Sequence, residues 1–132
     1  VAIDYTTPVG VLRLRIADTD EDAPTLTDPQ VKALLALRGV TGSAADGEFQ
    51  EEQRGPLLHA AADALLTIAA SETLIGKYIR QADGTTTDGT KVGAELRAQA
   101  TLMRAEADLA DAEAGDDPDM PDVVEFRPGG YR

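Results

Sequence analysis

The chain contains no cysteine and no tryptophan, and aromatic residues make up only 4% of it. The lack of cysteine excludes disulfides and thiolate metal sites and leaves the redox compartment open. The scarcity of aromatics implies a thin core, because many of the hydrophobic residues, 42% of the chain, are alanines. Alanine offers about one methyl of burial, where a full Leu or Phe side chain is worth roughly 1.5–3 kcal/mol. A monomer built this way lacks stabilisation that neighbours can supply, which favours an assembling protein. Basic residues are also few, with 12 Lys and Arg against 24 Asp and Glu, for a net charge of −12. Binding nucleic acid through phosphates needs a basic stripe that displaces counterions, so the balance argues against it. A solvated acidic surface keeps such a chain soluble. There is no signal-peptide pattern and no apolar run near the ~20 residues of a membrane helix, so a soluble, intracellular product with no membrane partner is expected.

What is present is helical. At 132 residues the chain has the size of one domain. The pattern predicts an all-α fold: a small bundle with short N-terminal helices and two long alanine-rich ones over 1–114, then an extended tail over 115–132. Residues 8–16 admit two readings. Leu12, Leu14 and Ile16 alternate with Arg13 and Arg15 as in a strand, yet Thr7-Pro8 is a cap and first turn, with Val9, Leu12 and Ile16 on one helical face. The helical reading is preferred. Thr27-Asp28-Pro29-Gln30 is a capping box that opens a helix through Val31, Leu34, Leu35 and Leu37, ended by Gly39. Residues 39–54 read as a polar connector with a helical turn near Glu48–Gln53. Pro56 opens one long helix to Arg80, with Leu58, Ala61, Leu65, Ile68, Ile75 and Ile79 as its stripe. After a turn at Gln81–Asp88, the helix Gly89–Ala114 carries Val92, Leu96, Met103 and Ala110 on one stripe. Leu102 and Leu109 form a second stripe, which reads as a contact with a neighbouring subunit.

Three constellations resemble chemistry and fall short of it. Gly84 to Lys91 is one transposition from a phosphate-binding loop, but Thr90 intervenes before Lys91 and a helix precedes where a strand is needed. A helix-connecting turn explains it. Asp18, Asp20 and Asp22 mimic the opening of a calcium-binding loop, but Ala23 replaces the glycine and Pro29 stands where a bidentate Glu belongs. A solvated acidic loop explains those. His59 and Asp63 are four apart with Ser71 two turns on, and a regular helix offers no strained turn or oxyanion hole to make Ser71 a nucleophile. His59 reads as a first-turn polar residue. No catalytic, cofactor-binding or metal-binding residues are assigned, and no enzyme activity is expected.

The tail is different. Disordered segments are depleted in bulky apolar residues, whereas Val123, Val124, Phe126 and Tyr131 are concentrated here, interleaved with Glu125 and Arg127. The β-branched pair suits strand addition or groove docking on a partner.

The order of these pieces resembles the head-to-tail adaptor (connector) proteins of long-tailed bacteriophages with actinobacterial hosts. The residues that carry the likeness are TPVGVLRLRIADTD at 7–20, LTDPQVKALLAL at 26–37, HAAADALLTIAASETLIGKYIR at 59–80, TDGTKVGAELRAQATLMRAEAD at 87–108 and DVVEF at 122–126. Each alone is a capped helix or a short tail; the likeness lies in five pieces in order. It implies a ring of about a dozen copies beneath the portal vertex, at the head–tail junction of the virion, assembled in the host cytoplasm. Its partners would be other copies of itself, the portal protein through residues 123–127 and Tyr131, and a downstream neck or tail-completion protein. Genomic DNA would pass through the channel unbound, repelled by an acidic wall. The alternative from another class is an acidic module that mimics DNA and sequesters a nucleic-acid-binding protein.

Overall fold

In the computed structural model, residues 2–82 and 89–114 are described. Six α-helices run through them: α1 Pro8–Arg15, α2 Asp28–Leu37, α3 Ser43–Asp46, α4 Arg54–Ala69, α5 Glu72–Ala82 and α6 Gly89–Ala114, with a 3-10 turn at Glu51–Gln53 before α4. The fold of the described residues is all-α, as the pattern predicts.

The predicted caps are present. Thr7 Oγ1 accepts the Gly10 N–H at 3.1 Å and Pro8 stands in the first turn, so residues 8–15 are helix rather than strand. Leu12 and Ile16 are buried while Leu14 points outward, which an alternating strand would not do. Thr27 and Gln30 close a reciprocal capping box on α2. Past the end of α2, Gly39 has φ +93°, the left-handed region that costs glycine nothing. The connector is less polar in its packing than in its composition. Val40 and Ala45 are buried, Phe49 is half-buried, and the Phe49 N–H donates to the Thr6 carbonyl at 2.7 Å.

One long helix from Pro56 to Arg80 is not what forms. The chain breaks after Ala69 and its axis turns by 106° into α5. Ser71 is the physical cause: its Oγ accepts the Leu74 N–H at 3.2 Å and its carbonyl accepts the Ile75 N–H at 3.0 Å, so it caps a new helix. The turn takes Leu74 and Ile75 off the α4 stripe and packs them, half-buried with Tyr78, at the edge of the core.

Helix α4 is the centre of the molecule. Leu57, Leu58, Ala60, Ala61, Ala62, Ala64, Leu65 and Ile68 are all buried, so the buried face covers more than half of its circumference. Its chief partner is α6, which presents Leu96, Ala100, Met103, Ala107 and Ala110 at three- and four-residue spacing. The two helices run antiparallel. Gly55, at the foot of α4, faces Asp111 near the end of α6, and Ala69 at the top faces Gly93 near its beginning. A Cβ on Gly55 would fall 1.9 Å from the Asp111 carboxylate, so any side chain at residue 55 would displace that carboxylate. Among the described residues no single helix is long and apolar enough to cross a membrane.

Candidate functional site

Partly and fully buried charged side chains tie the helices together, some across long stretches of sequence and some within one loop. Asp63, on the outer side of α4, accepts Arg38 Nε at 2.7 Å and Arg38 Nη2 at 2.9 Å, a bidentate pair from the residue that ends α2. Arg104 of α6 adds a third contact at 2.7 Å. Burial works against the charge on Asp63, but hydrogen bonds from Arg38 and Arg104 and their positive charges outweigh it, and its pKa falls below the usual carboxylate value. The Arg38 guanidinium is raised in turn, chiefly by the hydrogen bond to Asp63. A carboxylate held ionised by two guanidiniums is a poor proton donor or base at neutral pH. Its role is to join α2, α4 and α6.

Asp18 corrects the expectation of a solvated acidic loop. It is fully buried and accepts Arg13 Nη1 at 2.9 Å, the Thr25 N–H at 2.8 Å and the Leu26 N–H at 2.9 Å. Arg13, itself buried, reaches Asp28 at the start of α2 with its other terminal nitrogen, at 2.7 Å. Asp20 turns back on its own loop, accepting the N–H groups of Asp22 and Ala23. The loop therefore uses its acids to fix the path from α1 to α2. Tyr78 of α5 has its phenol pKa raised by burial and by the negative charge of Asp18.

His59 also differs from expectation. It lies near the foot of α4 with its Nε2 3.0 Å from Asp111 Oδ2 and 3.6 Å from Asp108 Oδ1, both on α6. Its Nδ1 is buried without a hydrogen-bond partner. Asp63 belongs to the arginine clamp and Ser71 caps α5, so the three residues that resembled a catalytic set in sequence serve three separate ends. No periodicity in α4 signals the His59 contact. It follows from the antiparallel register, which sets the last turns of α6 against the foot of α4.

On the outer side of α6, Leu102 and Leu109 are 72% and 66% exposed. They belong to a longer row: Ala98, Leu102, Ala105, Leu109 and Ala112 alternate at four- and three-residue steps, and all five are exposed. Such a seam, with leucines separated by alanines, is the spacing that packs one helix along another. Its flanks carry Glu106, Asp108 and Glu113, with Arg15 and Arg54 paired to Glu106 and Glu113. Elsewhere an open groove of about 520 Å³ runs between the N-terminal segment and the α1–α2 loop. Acids crowd its walls, with Asp4, Glu21 and Asp28 among them, against Arg13 and Lys32.

The tail residues expected to contact a portal, Val123, Val124, Glu125, Phe126, Arg127 and Tyr131, lie outside the described residues, as does most of the stretch that resembles a phosphate loop. Of that stretch, Gly89 to Lys91 form the start of α6. No protein-family model, no curated protein and no solved structure matches the chain.

Proposed function

We propose that the chain is a structural assembly subunit whose α6 seam packs against a neighbouring copy, and that the assembly is the adaptor ring of a phage neck. The observation that carries the first part is the exposed row Ala98, Leu102, Ala105, Leu109 and Ala112 on a helix whose opposite side already fills the core. Two leucines held in water on a helix anchored by its other face are a standing driving force for association. The resemblance of five ordered segments supplies the second part: a ring beneath the portal, with the tail anchoring on it and a downstream neck or tail-completion protein below. On this reading the net charge of −12 lines a channel that phosphate does not stick to.

Electron microscopy of the chain mixed with the portal protein of the same phage tests the proposal directly. Rings are expected with the native chain. Leu102→Asp and Leu109→Asp should stay helical by circular dichroism yet fail to join rings, and Phe126→Ala should weaken attachment to the portal by roughly ten- to a hundredfold. Full assembly by every folded variant would remove the role given to the seam. The acidity also supports a DNA-mimic reading, in which a monomer or dimer binds a basic protein with steep salt dependence. Salt-tolerant rings on a portal exclude that reading.

A further inference from the structure

We infer that His59, Asp108 and Asp111 form a binding site for one Zn²⁺-like divalent ion, which clips the end of α6 to the foot of α4. The inference is independent of the assembly proposed above. The site draws on both helices: an imidazole from α4 and two carboxylates one turn apart on α6. One ligand atom from each residue lies within 4.8 Å of the other two. The two nitrogen–oxygen separations at His59 are 3.0 and 3.6 Å. Zinc bonds of about 2.0–2.1 Å in a tetrahedron set neighbouring ligands about 3.3 Å apart, between those two values. The arrangement therefore needs side-chain adjustment rather than a change of fold.

Two further observations favour a cation here. Asp108, Asp111 and Glu113 crowd the end of α6, which has no basic residue in its last turn, although carboxylates there oppose both the helix dipole and one another. Among the described residues His59 is the sole side chain able to carry positive charge within ion-pair distance of Asp108 and Asp111. The second observation is Gly55. Any Cβ at this position would collide with Asp111 Oδ1, so the foot of α4 is shaped to admit that carboxylate beside the imidazole. One feature sets the affinity. When Nε2 holds a metal, the imidazole proton sits on Nδ1, which is buried with no acceptor. That penalty places the site well below a closed four-ligand zinc centre in affinity, while the imidazole nitrogen in the ligand set suits ions that favour imidazole over those that favour oxygen alone. Zinc is preferred, and Mg²⁺ and Ca²⁺ are not.

The chain has one histidine, so its imidazole signals in an NMR spectrum report this site and no other. Zn²⁺ is titrated into the full chain at neutral pH with excess Mg²⁺ present to occupy weak carboxylate sites, with heat of binding followed in parallel. One Zn²⁺ per chain is expected, with imidazole shifts that saturate at one equivalent and a higher unfolding midpoint. His59→Gln and Asp108→Asn should each weaken binding by at least about tenfold, since even partners outside the metal's own shell are worth 10–100-fold. Asp108 is 75% exposed, so Asp108→Asn decides the matter should His59→Gln unfold. Imidazole signals that stay unmoved by Zn²⁺, or uptake that Asp108→Asn leaves unchanged, overturn the site and reduce the cluster to an ordinary His–Asp contact.

Discussion

Leu65→Ala tests the packing on which everything else rests. Leu65 is fully buried at the middle of α4, the helix against which α6 packs. Truncation removes three carbon atoms from the core, and the response depends on whether neighbours can collapse into the space. Here many cannot. Ala61, Ala62, Ala64, Ala100 and Ala107 are also buried, and an alanine has no rotatable side chain to swing inward. The cavity should therefore stay largely open, and the cost should fall in the upper part of the roughly 2–5 kcal/mol seen for such changes. At about 3–4 kcal/mol and a urea slope near 2 kcal/mol/M, the unfolding midpoint should drop by about 1.5–2 M. Leu102→Ala is the control, because Leu102 is exposed and its loss should change stability by less than about 0.5 kcal/mol. Urea unfolding followed by circular dichroism measures both at one protein concentration. A Leu65→Ala cost below about half a kilocalorie, or one equal to that of Leu102→Ala, would show that the face assigned to the core is wrong.

Three other outcomes follow from single contacts. Asp63→Asn should cost about 1–3 kcal/mol at pH 7, because two guanidiniums lose a charged acceptor. The pH profile gives the sign: the folded-state pKa of Asp63 is lowered, so its contribution is present above the unfolded value near 4 and is lost as pH falls through the folded value, and the variant should lack that part of the acid dependence in unfolding experiments. Ser71→Ala should cost about 0.5–2 kcal/mol and raise amide exchange in α5 more than in α4, since only α5 loses its cap. Gly10→Ala should detach residues 2–7 from α1, because the new Cβ would lie 1.9 Å from the Asp4 carbonyl oxygen; faster proteolysis of that segment is the readout, and an unchanged rate would contradict the packing.

Helix caps were the most legible part of the fold. Thr7-Pro8, Thr27 to Gln30 and Gly39 act locally, within a few residues, so their chemistry can be read without knowing what packs on them. The stripe of α6 was equally plain, since Leu96, Met103 and Ala110 are buried as their spacing requires. The break at Ser71 was hidden because apolar residues continue on both sides at nearly helical spacing, and one serine must be recognised as a cap. The charged ties were hidden for a different reason. Asp18 and its two acidic neighbours look alike in sequence, and only the return of Arg13 and the backbone of residues 25–26 singles one out for burial. His59 and Asp111 are 52 residues apart, so their meeting depends on the register of two helices, which no local pattern fixes.

The alanines buried along α4 and α6 have a consequence for how this sequence can change over time. In a core of leucines and phenylalanines most substitutions shrink a side chain, and neighbours relax to fill part of the gap. Here Ala60, Ala61, Ala62, Ala64, Ala100 and Ala107 are already near the smallest size and have at most 1% of their surface exposed. Apart from the change to glycine, every amino-acid-changing single-base change at these positions leads to a larger or charged residue, and each larger one strains the packing at a cost of typically 1–3 kcal/mol. A composition that looks simple enough to drift is therefore tightly constrained in its interior, while exposed charged positions outside the ties and the seam remain free to vary. Relatives of this chain should differ most in their charged surfaces and least in their smallest residues.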